Sequence, residues 1–420
     1  MIDNWGKTIV MMNLKNVAAE GRYYSSLIKK DNSFKTTLDY LRRLCLTDII
    51  GFVYTIVLII LLSSSGCNTT PNMRRGSLPT PTPGIPLLHP RPIFLEPDNL
   101  GSHSYTPNPF EKNGIVYTCD GGHIDISHVR ANADDTRFLA RKAYETLMKQ
   151  KGGFSFNLAF EQSRHKVEFC YPQSWGDLSE KEREKAAREL SLEVGAYITF
   201  YATLWHEIMS WFGVRFALID PQFNSAFSWE DVYSNILGIK LAIEALKDPD
   251  LEYNEAMTKA IDRELKRLRV QPRKTAVKVT EKMQGRWFKG NRIPIMLRRN
   301  TDIGIDDGYI SPVLIPGVCE DAEPKLLAAP RLDILSTQGF TMTYKIVPVY
   351  LEAGKVLRII FPEGKGKLIE PIKHYPMIID FINKEAVEKY NFDINTSPHQ
   401  PATVEIHLYR NGSTMDLDGL

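Results

Sequence analysis

The sequence predicts an α+β fold, a helical N-terminal half packed with a mixed α/β, strand-richer C-terminal half. Three observations predict it. The stretch SEKEREKAARELSLEVGAYITFYATLWHEIMSWFG opens on Ser179 as an N-cap with acids in its first turn and stops at Gly213. Its first half is amphipathic. Its second half, 194–212, is apolar nearly all round and should run through the core. A second helix starts at SWEDVYSNILGIKLAIEALK. Beyond Arg286 the character changes to strand and turn chemistry punctuated by Pro and Gly, as in RIPIMLRRNTDIGIDDGYISPVLIPG.

The remaining elements follow in order. GIVYT, near Ile115, reads as a short strand, and residues 129–149 carry apolar positions at helical spacing. GGFSFNLAFEQSRHKVEFCYP alternates enough for two strands and a turn, and VRFALI (214–219) for a short apolar strand. A charged helix covers roughly 253–270. FTMTYKIVPVYLEAGKVLRIIFP (340–362) reads as a hairpin turning at Ala353-Gly354. Residues 376–391 read as a helix with Pro376 in its first turn, and TVEIHLY (403–409) as an alternating strand. Residues 113–285 thus form a mainly helical part, and 286–420 a strand-rich part of the same or a second domain. No internal repeat is present.

The chain has 420 residues, 43% hydrophobic and 24% charged, with a formal net charge of +2, so charge gives no reason to expect nucleic acid. The basic run RELKRLRVQPRK (263–274) reads as a solvated face. The N-terminal region is more telling. IIGFVYTIVLIILL (49–62) carries no charge, follows Arg42 and Arg43, and precedes SSSGC. A run of about fourteen residues is short for a membrane span of about twenty and suits a signal segment. Residues 49–67 resemble a bacterial lipoprotein signal and its cleavage site. That resemblance implies cleavage before Cys67, lipid on its thiol and new amino group, and, with Asn68 next, the outer membrane facing the periplasm. Ser64 stands where the family prefers leucine, and the preceding leader is too long for a signal n-region. The leader, 1–48, is therefore read as preceding the true start; an uncleaved anchor with Cys67 as a plain thiol is the alternative. Residues 68–112, rich in Pro, Ser and Thr, read as a tether.

An exported chain can form disulfides. Cys119, Cys170 and Cys319 leave at most one pair, for which Cys119–Cys170 is the candidate read here. No CxxC occurs, which argues against a cysteine zinc site.

Three passages concentrate the candidate chemistry. In YTCDGGHIDISHVRANADDT, His128 lies three residues beyond Asp125, and imidazole with carboxylate suits a divalent metal such as zinc. Asp120-Gly121-Gly122 is equally good turn chemistry, and Asp125 or Ser127 a good helix cap. In ATLWHEIMSWFG, His206-Glu207 begins like the HExxH zinc motif, but Ser210 stands where the second histidine belongs. On a helix the two point about a hundred degrees apart, so they serve different centres. Glu193 falls near the face of Glu207. In SAFSWEDVYSNILG, Glu230 or Asp231 can supply a carboxylate, with Asn235 one turn on, while Ser228 and Asp231 also fit a capping box. NTDIGIDDG (300–308) does not fit a calcium loop and reads as a polar turn. Together the three passages resemble a bacterial family, domain of unknown function 4056, often found in lipoproteins. The resemblance covers most of the chain after the tether and implies no activity, cofactor or substrate.

The residues support three readings. The first is a periplasm-facing, metal-assisted hydrolase of unknown envelope substrate. Its catalytic residues are His128, Asp125, Arg130 and Glu207, with Arg130 stabilising developing charge, and its metal ligands are His128, Asp125, His206 and Glu230. The second is a non-enzymatic lipoprotein binding a glycan, peptide or protein, in which these groups are structural networks. The third is a thiol hydrolase using Cys119 with His128. In all three the membrane is met through the lipid on Cys67.

Overall fold

The two longest helices start where a side chain caps them. A hairpin of β1 (Ile115–Thr118) and β2 (Gly122–Asp125) runs straight into α1 (Ile126–Met148). Gly122 sits at φ +68°, and a Cβ there would lie 2.3 Å from the Val313 carbonyl oxygen, so only glycine fits the turn. Asp125 ends the hairpin and caps α1, accepting from the Ser127 and His128 amides at 2.7 and 3.4 Å. The computed structural model describes residues 94–105, 111–158, 161–216, 220–290, 295–349 and 352–395, all within the compact unit Thr70–Leu420. The signal segment, Cys67 and the expected strand 403–409 lie outside these residues.

Next come β3 (Gly153–Leu158) and β4 (Ser163–Cys170), an antiparallel pair, then α2 (Glu180–Trp211). Ser179 and Glu182 form a reciprocal capping box at its start, and Gly213, at φ +107°, follows its end. The pair β5 (Arg215–Phe216) and β6 (Asp220–Pro221) precedes α3 (Asp231–Lys247) and α4 (Tyr253–Arg267). After β7 (Val270–Gln271) and α5 (Arg273–Glu281) come the short strands β8 (Phe288–Lys289), β9 (Ile295–Met296), β10 (Arg298–Asn300), β11 (Tyr309–Ile310) and β12 (Leu327–Ala328). The chain closes with α6 (Asp333–Thr337), β13 (Thr341–Pro348), α7 (Ala353–Ile360), α8 (Pro371–Glu388) and β14 (Asp393–Asn395).

The fold is α+β as expected. The C-terminal part is not separate: β13 pairs along its length with β4, and β14 pairs parallel with β10. Two expectations need correcting. The 340–362 stretch is strand then helix, since Ala353, Val356 and Ile360 are buried at helical spacing and β13 pairs with β4 instead of turning back. The helix expected from Pro376 begins one turn earlier, with Pro371 in the first-turn position. The tether is also shorter than read. Leu95, Leu100, His103 and Glu111 are buried against the helices, so 94–112 belongs to the fold at least in its described residues.

Three helices position the site. α1 and α2 run antiparallel, with Ala140 facing Gly195 and Asn132 facing Thr203. α1 and α3 run parallel, with Val129 against Gly238, Asn132 against Asn235 and His128 against Asp231. A Cβ at Gly238 would fall 2.2 Å from the Val129 carbonyl oxygen, and one at Gly195 2.7 Å from the Ala140 nitrogen. These two glycines allow the close approach that sets the register of all three helices.

Candidate active site

The register builds a polar seam inside an apolar helical core. Its lower layer is Asn132, Thr203 and Asn235, one residue from each helix. Thr203 donates to Asn132 Oδ1 at 2.6 Å, and Asn132 Nδ2 donates to Asn235 Oδ1 at 2.7 Å. One helical turn away, at i−4 on α1, i+4 on α2 and i−4 on α3, stand His128, Glu207 and Asp231. The seam therefore has two layers, and the upper one is charged.

Around that upper layer the chain converges four carboxylates. His128 Nδ1 lies 3.2 Å from Asp231 Oδ1. Glu207, buried, accepts from the Phe227 amide at 2.8 Å, and Asp231 accepts from the Ser228 amide at 3.2 Å. Ser234 donates to the Glu230 carbonyl and accepts from the Asp125 amide, tying the start of α1 to α3. Glu230 is buried, and its Oε2 has no hydrogen-bond partner among the described residues. A buried acceptor left unpaired costs free energy unless something is bound there.

The proton affinities follow from this crowding. Enclosure pulls the His128 imidazole down, but Asp231, then Asp125, Glu207 and Glu230, overcome it and hold the ring at about 9. His128 is therefore an imidazolium at neutral pH, with a third of its side chain open to solvent. Burial, helped by Asp125, raises Glu230 to about 7 against the pull of its own amide, Ser228 and His128. Burial also raises Asp231, with Glu207 and Glu230 adding to it and His128 opposing. Both groups are raised in the same direction, so that an acid and a base in one cluster bracket weakly alkaline pH, an arrangement acid–base chemistry can use.

Of the sequence-predicted residues, His128, Asp125, Glu207 and Glu230 come together. Asp125 spends one oxygen as the α1 cap while adding its charge to the cluster. His206 does not join them: it points to the other side of α2, where Nδ1 meets Glu161 at 2.7 Å. The four-residue metal set read from the sequence is thus not assembled, and no group of three or more His, Cys, Asp or Glu that could hold an ion forms among the described residues. Arg130 is also elsewhere. Buried two residues past His128, it donates to the Lys112, Leu100 and Gly101 carbonyls and faces Glu111 at 3.5 Å, clamping the entering chain. Glu193 caps α6 through the Ile334 and Leu335 amides.

Cys119 pairs with Cys319, not Cys170, which is a free, exposed thiol. The disulfide removes Cys119 as a nucleophile for His128. His123 is a core residue: it accepts from Trp229 Nε1 at 3.1 Å and meets Thr280 Oγ1 at 2.7 Å, and burial lowers it to about 3. Sequence reasoning missed Asn132, Thr203 and Arg299. The i, i+4 polar pairs His128/Asn132 and Thr203/Glu207 were the available signal.

Fold and seam define an α+β protein with an acidic, histidine-bearing junction of three helices. The chain belongs to the family described as proteins of unknown function, DUF4056, whose profile matches residues 86–309 and so spans every residue of the junction. No curated protein and no solved structure matches it.

Proposed function

We propose that the protein is a membrane-anchored bacterial envelope lipoprotein that hydrolyses an envelope substrate by acid–base catalysis at the junction of α1, α2 and α3. The observation that carries the reading is the convergence of His128, Asp231, Glu207 and buried Glu230, whose Oε2 has no partner among the described residues, at one helix junction, where His128 is held at about 9 and Glu230 at about 7. Between those values Glu230 is ionised and His128 protonated, the state in which one accepts a proton and the other donates. Glu230, with an unpaired buried oxygen, takes the proton of an attacking water. His128, braced on Nδ1 by Asp231, turns its Nε2 edge to the substrate and protonates the leaving group. The signal-like segment before Cys67 supports lipid anchoring and the periplasmic face of the outer membrane. A divalent metal such as zinc, the cofactor the sequence suggests, is the competing reading, although no group of three or more ligands forms among the described residues.

Turnover of purified sacculi and of ester and amide reporter substrates, measured across pH before and after chelator dialysis, tests the reading. A bell-shaped profile is expected. The rate rises as Glu230 ionises through about 7 and falls as His128 loses its proton through about 9. Glu230→Gln should abolish turnover, and His128→Gln should lower the rate and remove the upper limb. Activity lost on chelation and restored by zinc would replace this mechanism with a metal-assisted one. A folded protein without turnover on any of these substrates would sink the hydrolase reading in favour of a non-enzymatic partner-binding lipoprotein.

A further inference from the structure

Arg299 is fully buried, yet no carboxylate touches it in an ion pair among the described contacts. Its Nη1 donates to the Ala226 carbonyl and its Nη2 to the Phe223 carbonyl at 3.1 Å. Aromatic rings surround the guanidinium carbon, with the Phe392, Phe223 and Trp211 centroids at 4.8, 5.6 and 5.8 Å. The neighbouring Asn300 amide donates to the Phe227 carbonyl at 2.8 Å, and Ser228 forms a β-bridge with Arg299 itself. The 223–228 turn is thus gripped from one strand, β10.

That turn is what orients two of the site's carboxylates. Phe227 occupies the left-handed region at φ +54°, a conformation a non-glycine residue holds only when its surroundings impose it. In that conformation its amide donates to Glu207, and the next amide, of Ser228, donates to Asp231. The guanidinium also stands in the field of the same cluster. Burial lowers Arg299 to about 10 while Asp231, Glu207 and Glu230 push it back up. A planar fork reaching two carbonyls while keeping its charge is what arginine supplies and lysine does not.

We propose that Arg299 is a positioning residue of this site: it holds the 223–228 turn so that the Phe227 and Ser228 amides meet Glu207 and Asp231, and its buried charge opposes the penalty that burial places on the charged form of the neighbouring carboxylates. The proposal deepens the acid–base reading and rests on it for its catalytic meaning, but its test needs no substrate, so the two can fail separately.

The test uses the full 420-residue chain. Amide hydrogen exchange is read at Phe227 and Ser228, and the Glu230 carboxyl is titrated by carbon NMR with labelled glutamate. In the unaltered protein both amides should be as protected as the α2 core; exchange as fast as an exposed turn overturns the proposal without any variant. Arg299→Gln should lose protection at both amides and shift the Glu230 titration to higher pH. Arg299→Lys should restore the titration, having kept the charge, while protection stays lost because the fork is gone. A folded Arg299→Gln protein with unchanged exchange and an unmoved titration would overturn it, as would a lysine variant that fails to bring the titration back.

Discussion

Glu230→Gln gives the sharpest test because it predicts a change in stability whose sign depends on pH. Glu230 is 6% exposed and ionises at about 7 in the fold, against an ordinary value of 4.5. A gap of about 2.5 units corresponds to about 3 kcal/mol at roughly 1.4 kcal/mol per unit. The folded state binds this proton more tightly than the unfolded chain. Below about 4.5 both states are protonated and the stabilisation is fully present; as pH rises to about 7 the unfolded state ionises first and the stabilisation drains away. Glutamine is neutral throughout and of similar shape. The variant should therefore melt close to the unaltered protein at acid pH. By pH 8 it should lie about 3 kcal/mol above it, about 5 °C for a unit of roughly 300 residues. Calorimetry at the two pH values reads this directly, and the same sample should have lost turnover. A variant less stable at pH 8, or a difference that does not vary with pH, would refute the claim that Glu230 is a buried acid held in an unfavourable state for use.

Other outcomes follow from groups placed outside the cluster. Arg130→Met should cost about 3–5 kcal/mol, since it takes a buried charge from Glu111, which keeps His103 and the Ser104 amide, and the donor from three backbone carbonyls of the entering chain, and should leave the limbs of any pH profile where they are; chemical denaturation and rate profiles check both halves. Mass mapping of unreduced protein should find Cys119 joined to Cys319 and Cys170 open to alkylation. Cys319→Ser should destabilise by up to about 5 kcal/mol, because the bond closes a loop of 200 residues; a free Cys119 in unreduced protein refutes the pairing. Cells fed labelled palmitate should label the protein, and Cys67→Ala should abolish the label; label retained in that variant would remove the lipid anchor.

The sequence reveals most where the physics is local. Ser179 and Gly213 announce the ends of α2 because a capping box and a positive φ need particular side chains at particular places. The angular separation of His206 and Glu207 follows from helix geometry alone, and the structure sends them to different partners. The same rule was available for Arg130, two residues beyond His128 and so on the far side of α1, where it clamps the chain. The 340–362 stretch misled because KIVPVYL alternates like one arm of a hairpin, while its true partner, β4, lies far back in the chain. The partner of Cys119 sits 200 residues away, and spacing says nothing about it.

The seam was half legible for a more particular reason. His128/Asn132, Thr203/Glu207 and Asp231/Asn235 each show as an i, i+4 polar pair on one helix, but whether they meet depends on register between helices. That register is set by Gly195 against Ala140 and Gly238 against Val129, close approaches that no single helix displays. Once it is fixed, the two layers differ. In the lower layer Asn132 bonds to both neighbours and Asn235 Nδ2 has no partner among the described residues, so it is charge that tells the layers apart. In the upper layer four carboxylates face one imidazolium and a caged arginine, and Glu230 keeps an unpaired oxygen in the core. A core selected only for stability would replace such a carboxylate with an apolar side chain of similar volume and gain by it. The lower layer is what a fold needs to set three helices in register, and the upper layer is the excess that the acid–base reading explains.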